Sequence, residues 1–95
     1  MRVVWTPQAE LDRLSIFQYI AIDNEAAAFR MDERFSQVAE RLGQVPLMGR
    51  TGIVDGTRDY IVHRSYRLVY QISGDDIWIL ALVHTARQWP PRPDS

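Results

Sequence analysis

The sequence contains no cysteine and no lysine, and none of its apolar runs approaches the roughly 20 residues of a membrane-spanning helix. Without cysteine, disulfides and thiolate chemistry are excluded, and two histidines alone argue against a structural zinc site. No charged start followed by an apolar run suggests a secretion signal. We therefore expect a cytoplasmic protein that needs no metal or other cofactor and has no contact with a membrane.

A surplus of basic charge is also missing, because 11 arginines are set against 12 acidic residues, for a net charge of −1. Residues 7–43 are acidic, whereas residues 44–95 carry one more arginine than acids. A pI near 6.0 argues against binding nucleic acid through bulk charge, for which a domain pI above about 9 is typical. That every basic residue is arginine reflects either a compositional bias against lysine or a need for forked hydrogen bonds.

The hydrophobic pattern predicts one domain over residues 1–95, with a strand, two helices and three further strands in that order. Thr6 is a suitable N-cap ahead of Pro7, Asn24 caps the second helix, and Gly43 ends it. This order indicates an α+β domain in which a helical hairpin lies on a sheet. The predicted segments are a strand at 2–5, helices at 7–22 and 25–42, and strands at 58–63, 66–72 and 77–84.

The two predicted helices differ in how their apolar residues are distributed. The first is apolar over much of its circumference, because Leu14 and Phe17 lie outside the stripe formed by Ala9, Ile16 and Ile20. A helix of this kind packs on more than one side. In the second helix the apolar residues form one continuous seam, typical of a face buried in a core. The seam residues are Ala28, Met31, Phe35, Val38 and Leu42.

Arginines recur at the entry to, or within, the three C-terminal strands. Arg50 lies in a glycine-rich loop, where we predict that the stretch Gly49-Arg50-Thr51-Gly52 is a turn with positive φ at its glycines rather than a phosphate-binding loop. Arg58 opens a strand and suits a carboxylate of this chain or an external one equally well. Arg67 is on the less apolar face of its strand, where we expect it to be exposed. A permanent charge set into a sheet needs either an internal acid or an anionic partner.

The last predicted strand ends at His84, and Arg87 follows in the next turn. Histidine, with an ordinary pKa of about 6.5, serves as an acid or base on RNA, while arginines stabilise the charge on phosphorus. Alternatively, His84 only caps the strand through a backbone hydrogen bond. We expect His63 to be exposed and inert. Trp89 opens a stiff tail, 89–93, which either folds back over the edge of the core or is offered to a partner.

Taken together, these features resemble the RelE/ParE superfamily, the toxins of bacterial type II toxin–antitoxin modules. The resemblance covers nearly the whole chain and implies a βααβββ fold, with the helical hairpin on a mainly antiparallel four-stranded sheet. It is carried by Trp5-Thr6-Pro7, Tyr19-Ile20-Ala21, Asp23-Asn24, Pro46, Gly49-Arg50, Gly52, Gly56-Thr57-Arg58, Tyr66-Arg67-Leu68-Val69-Tyr70, His84 and Arg87.

The resemblance also implies a cognate antitoxin, whose partly disordered segment folds on binding and keeps the toxin inactive. An antitoxin helix would cover the wide apolar surface of the first helix, and its acidic side chains would meet the arginines of the sheet. Operator DNA would be bound only through the antitoxin. The residues expected to bind the antitoxin or the target are Leu14, Phe17, Arg50, Arg58, Arg67 and Trp89.

The branches of the superfamily differ in target. RelE-type members cut messenger RNA on the ribosome, and their active-site positions match Arg67 and either His84 or Arg87. This chain departs from that branch, because it lacks lysine, a basic surplus and a C-terminal catalytic tyrosine or histidine. ParE-type members poison DNA gyrase, and many have the His-x-x-Arg pattern that His84 and Arg87 form.

We therefore expect a toxin that arrests growth by inhibiting gyrase through surface contacts, without bond-making by its own residues. The first alternative is a ribosome-dependent endoribonuclease, in which Arg67 and Arg58 hold the phosphate, His84 is the acid or base, and Arg87 is also catalytic. The second alternative is a non-toxic relic that only binds its antitoxin and adjusts transcription.

Overall fold

The computed structural model of the protein describes residues 1–91 and consists of a five-stranded sheet with two helices on one face. The sheet order is β1-β5-β4-β3-β2, with β1 parallel to β5 and the other pairs antiparallel. The predicted α+β class and element order are confirmed. The elements are β1 (Arg2–Trp5), α1 (Pro7–Ala21), α2 (Glu25–Gln44), a 3₁₀ turn (Pro46–Met48), β2 (Arg50–Thr51), β3 (Thr57–His63), β4 (Tyr66–Ser73) and β5 (Asp76–His84).

The extra strand beyond the four expected is β2, which occupies the glycine-rich loop. The prediction of a positive-φ turn at this loop's first two glycines is wrong, since within residues 1–91 only Gly56 and Gly74 have positive φ, at 83° and 58°. Glycine is instead needed at position 49 because the Tyr70 side chain lies too close to the backbone for a Cβ. A Cβ there would lie 2.7 Å from Tyr70 Cε1, and the Gly49 N–H donates to the Tyr70 hydroxyl at 2.9 Å.

Both predicted helix starts are confirmed. Thr6 Oγ1 accepts a hydrogen bond from the Ala9 N–H at 3.2 Å, and Asn24 Oδ1 accepts one from the Ala27 N–H at 3.0 Å. These side chains satisfy backbone donors that have no partner inside the helix. The Thr6 hydroxyl also donates to the Ile79 carbonyl oxygen at 2.7 Å. The start of α1 is thereby tied to β5.

The helical hairpin is joined by Arg13 of α1, whose guanidinium donates to the Asp32 carboxylate, with Nε 2.5 Å from Oδ1, and to the Ser36 hydroxyl. The same guanidinium lies 4.7 Å from the ring centroid of Trp5. Neither α1 nor α2, the two α-helices within residues 1–91, is long and apolar enough to cross a membrane.

The two faces of the sheet are covered differently. Side chains alternate along β4, so Tyr66, Leu68 and Tyr70 face the helices, whereas Arg67 and Val69 face away. The helix face holds the main core, which includes the predicted seam of α2. The other face holds a smaller cluster, on which Leu80 and Trp89 pack, consisting of Val69, Ala81 and Val83.

Candidate functional site

A buried carboxylate organises the sheet face that lies away from the helices. Asp59 of β3 is 5% exposed, and both of its oxygens accept hydrogen bonds from arginines. Oδ1 accepts from Arg50 Nε at 2.8 Å, and Oδ2 accepts from Arg67 Nη1 at 3.1 Å. The strand register explains this meeting, because Asp59 is paired with Arg50 on β2 and with Val69 on β4, two positions from Arg67.

The expectation that Arg67 is exposed is wrong, since it is 9% exposed. Its Nη2 donates to the carbonyl oxygen of Arg87 at 3.1 Å, and Trp89 packs against the neighbouring Val69 cluster. A charge buried in this way requires an opposite charge beside it, and Asp59 supplies that charge. Arg67 therefore holds the C-terminal tail onto the sheet. The tail does fold back at Trp89, and its last predicted residues, 92–93, lie outside the described residues.

Arg50 and Arg58 retain more capacity for an external acid than Arg67 does. The Arg50 side chain is 69% exposed although it bonds Asp59. Arg58 adjoins Asp59 on β3 and so points to the opposite face. Its Nε is buried and has no hydrogen-bond partner within the described part of the chain. This nitrogen is closed to solvent, but the Arg58 side chain as a whole is half-buried and forms no ion pair in the described residues, so its charge remains available to an acceptor from another molecule.

Three ring-bearing residues, His63, Tyr66 and His84, lie side by side on neighbouring strands, on the face of the sheet that carries the helices. Tyr66 is paired with His63 of β3 and with His84 of β5, and the Tyr66 and His84 rings meet edge to face, with centroids 5.8 Å apart. Each histidine accepts a backbone hydrogen bond on Nδ1 at 3.1 Å, His63 from Ser65 and His84 from Ala86. The expected backbone bond of His84 is thus present. Each neutral imidazole carries its proton on Nε2, because Nδ1 accepts.

His63 is half-buried and not exposed as expected. Together with Tyr66 and His84 it forms one wall of a groove of about 840 Å³, and α1 forms the other wall with Tyr19 among its residues. Burial raises the pKa of the Tyr66 hydroxyl above its ordinary 10.0, Tyr19 adds to this rise, and Arg87 opposes it. With two imidazoles and a guanidinium along one wall, the groove suits ligands that accept hydrogen bonds or carry negative charge.

Of the four residues that the nuclease alternative uses, Arg67 does not meet His84, although its guanidinium bonds the backbone carbonyl of Arg87. Arg67 is paired with Val83 and lies on the face away from the helices, whereas His84 shares the helix face with Tyr66. Arg87 lines the groove beside His84. A phosphate in that groove would therefore lie near His84 and Arg87, with the sheet between it and Arg67.

The helical hairpin leaves an apolar surface open to solvent. Leu11 and Leu14 of α1 are 58% and 52% exposed, and Phe29 of α2 is 59% exposed. Phe17 packs edge to face on Phe29, with 4.9 Å between the ring centroids. Adjacent exposed apolar side chains of this kind are typical of protein-interaction sites. The expected contact of Leu14 and Phe17 with a partner stays a prediction.

Two acids that shape the candidate site, Asp59 and Asp12, were not predicted from the sequence. A signal for Asp59 was present, since an acid in a strand that continues with a tyrosine, an isoleucine and a valine at positions 60–62 is costly to bury unless a cation pairs with it. Asp12 gave no local signal. Its Oδ2 accepts a hydrogen bond from the Leu82 backbone N–H at 3.1 Å, across 70 positions of sequence.

Residues 3–89 of the chain match the model of a family described as the ParE toxin of the type II toxin–antitoxin system parDE. Y4kP, a proposed toxin of Sinorhizobium fredii, is 36% identical over 91 residues, which cover 94% of this chain and 93% of that protein. The toxin RelE2 of Caulobacter vibrioides is 31% identical over 86 residues, which cover 90% of this chain and 97% of that protein.

Solved structures show the same fold. The chromosomal ParDE toxin–antitoxin system of P. aeruginosa matches with a TM-score of 0.79 and 24% identity, over 88% of this chain and 95% of that one. The YoeB/ParE toxin of Agrobacterium tumefaciens matches with a TM-score of 0.64 and 18% identity, over 88% of this chain and 98% of that one.

Proposed function

Because the chain belongs to the ParE toxin family of type II toxin–antitoxin systems, we propose that the free protein inhibits DNA gyrase through surface contacts and that a cognate antitoxin neutralises it. The toxin role comes with the family. The choice of gyrase as target is supported by the ParE family match and by the arrangement of the arginines.

The observation that carries this choice is the separation of Arg67 from His84. Arg67 is bonded to Asp59, buried, and on the opposite face of the sheet from His84. An arginine in that position does not share a phosphate with an acid or base at His84. Inhibition by binding requires no such convergence, because affinity comes from exposed contact surfaces.

The antitoxin part of the proposal is supported by the apolar surface around Leu11, Leu14 and Phe29. A helical antitoxin segment that covers this surface would gain free energy from apolar burial, at about 25 cal/mol per Å². Acidic side chains of the antitoxin would meet Arg58 and the exposed part of Arg50. Operator DNA would be bound by the antitoxin within the complex.

The test combines growth and supercoiling measurements. We expect induction of the toxin alone to arrest growth, with filamentation and a DNA-damage response, and co-expression of the antitoxin to restore growth. Purified toxin should inhibit supercoiling by gyrase, and adding antitoxin should reverse the inhibition. Arrest without any effect on gyrase would refute the target, and absence of arrest would identify a non-toxic relic.

A ribosome-dependent endoribonuclease is the second candidate, favoured by the row His63, Tyr66 and His84 beside Arg87. Its test is cleavage of messenger RNA in a translating extract. If His84 is the acid or base, His84→Ala should abolish cleavage. Under the gyrase proposal, the extract shows no cleavage and His84→Ala leaves supercoiling inhibition within about threefold of the unsubstituted toxin, because no bond-breaking depends on the imidazole.

A further inference from the structure

Within residues 1–91, the C-terminal half of β5 has no strand on one side. The pairing of β1 with β5 ends at Trp5 and Ile79, after which the chain turns into α1. Among the residues that the structure describes, β4 is therefore the one strand that borders residues 80–84 of β5. We call this segment the open edge of β5.

Some of the backbone N–H and C=O groups on the open edge already have hydrogen-bond partners, and others do not. The Leu82 N–H donates to Asp12 and so points away from β4. Because the N–H and C=O of one strand residue point the same way and the direction repeats every second residue, the Leu82 C=O and the His84 N–H face the edge as well. The His84 C=O accepts from the Arg87 N–H at 2.9 Å. A free acceptor at Leu82 and a free donor at His84 remain along this edge of the described chain.

This pattern discriminates between the two directions of an added strand. In an antiparallel pairing, one residue of the incoming strand bonds both groups of Leu82, and its C=O would face the Asp12 carboxylate, which already takes the Leu82 N–H. In a parallel pairing, one incoming residue donates to the Leu82 C=O and accepts from the His84 N–H. The two free groups are the ones that a parallel strand uses.

We propose that the open edge of β5 is a docking site for an extended segment of the antitoxin, which adds a sixth strand parallel to β5. The identity of the occupant rests on the proposed function. The incoming residue that forms both bonds lies opposite Val83. The same arrangement continues the direction of β1, since β1 is also parallel to β5.

The residues on either side of the open edge indicate which side chains the docked antitoxin segment carries. A groove of about 880 Å³ runs along the edge, between Gln8 and Asp12 of α1 and the C-terminal tail at Trp89. Its part away from the helices is lined by Ala81, Val83 and Trp89, so the residue opposite Val83 is apolar.

On the helix face, the groove of about 840 Å³ holds His84 and Arg87. The one carboxylate that lines this groove within the described chain is Asp12, which already accepts hydrogen bonds from Gln8 and from the Leu82 N–H. The next residue of the segment, opposite His84, is therefore acidic, because it pairs with Arg87. The segment therefore contains an apolar residue followed by an aspartate or glutamate.

The test uses the toxin bound to its full-length antitoxin, with amide hydrogen exchange measured by NMR. We expect exchange of the His84 amide to slow at least about tenfold on complex formation. The Val83 amide is the internal control, because it points to β4 and is protected in both states.

Substitutions give an independent measurement of affinity. His84→Pro removes the N–H, whereas His84→Ala keeps it, and proline is tolerated at a strand edge that faces solvent. We expect His84→Pro to bind antitoxin about tenfold more weakly than His84→Ala. Arg87→Gln should weaken binding about threefold, and Arg41→Gln on α2, away from the edge, should leave it unchanged.

Equal affinities of His84→Pro and His84→Ala, or unchanged His84 exchange in a complex that neutralises the toxin, would overturn the docking proposal and leave the proposed function standing. Failure of the antitoxin to bind the unsubstituted toxin would overturn both. If His84→Pro does not fold, the exchange measurement on the unsubstituted toxin decides.

Discussion

Two regions of the same sheet use charge in opposite ways. On the face away from the helices, Asp59 bonds Arg50 and Arg67, so the buried charges of Asp59 and Arg67 are paired within the chain, while most of Arg50 stays exposed. At the open edge of β5, His84 and Arg87 stand beside backbone groups that have no partner in the described residues. An arginine in a strand is therefore not by itself a binding residue. Its role depends on whether the strand register brings an acid of the same chain within reach.

The largest effect on stability should come from removing the Asp59 carboxylate, which pairs with Arg50 and Arg67. Asp59→Asn leaves the buried Arg67 charge without compensation, so we expect the free energy of unfolding to fall by about 3–5 kcal/mol. Urea denaturation of the variant and of the unsubstituted protein measures this difference in the free energy of unfolding. Asp75→Asn, in the exposed β4–β5 turn, is the matched control and should change stability by less than about 0.5 kcal/mol. A small effect of Asp59→Asn would mean that the ion pairs contribute little.

Removing the tail contact should have an intermediate effect. Trp89→Ala deletes a half-buried ring from the cluster beside Arg67, and we expect a loss of about 1–2 kcal/mol of stability. Amide exchange in residues 85–89 should accelerate as the tail detaches. Trp89→Phe should recover part of the loss, because it restores apolar contact. Unchanged exchange after Trp89→Ala would show that the bond from Arg67 to the Arg87 carbonyl suffices to hold the tail.

Changing the exposed hairpin should affect binding and leave stability nearly unchanged. Leu14→Ser is expected to alter the free energy of unfolding by less than about 0.5 kcal/mol and to weaken antitoxin binding about tenfold. Calorimetric titration gives the affinity. Gln18→Ser, exposed on the same helix, is the control. Equal affinities of the two variants would exclude Leu14 from the antitoxin contact.

The smallest expected effect is on the pH dependence of the free energy of unfolding. Burial raises the pKa of Tyr66 in the folded state, so folding favours the protonated hydroxyl. The resulting stability is fully present below pH 10.0, the ordinary pKa of tyrosine, and is lost as the pH rises through the higher folded-state pKa. Tyr66→Phe should flatten this loss when unfolding is followed between pH 9 and about 11. Identical pH profiles for both proteins would contradict the raised pKa.

The fold was predictable because its signals are local. Thr6 and Asn24 cap the helices through residues three positions away, and the β4–β5 turn needs only the positive φ of Gly74. The prediction for the glycine-rich loop was wrong because glycine is required at position 49 by a distant residue. Tyr70 fills the space that a Cβ at position 49 would occupy.

The candidate site was less predictable because its contacts are long-range. Arg67 reaches Asp59 across eight positions and the Arg87 carbonyl across 20, so its burial depends on strand register and on the path of the tail. The two histidines come together only because Tyr66 is paired with both. No local pattern contains these pairings.

The bond between Asp12 and the Leu82 amide also bears on self-association of the toxin. Bare strand edges promote aggregation, because two copies can join them into one larger sheet. A two-fold axis would run the joined edges in opposite directions, and each carboxylate would then oppose a carbonyl of the other molecule. One aspartate on α1 thus disfavours edge-to-edge pairing of two copies and leaves the edge accessible to a strand that runs parallel to β5.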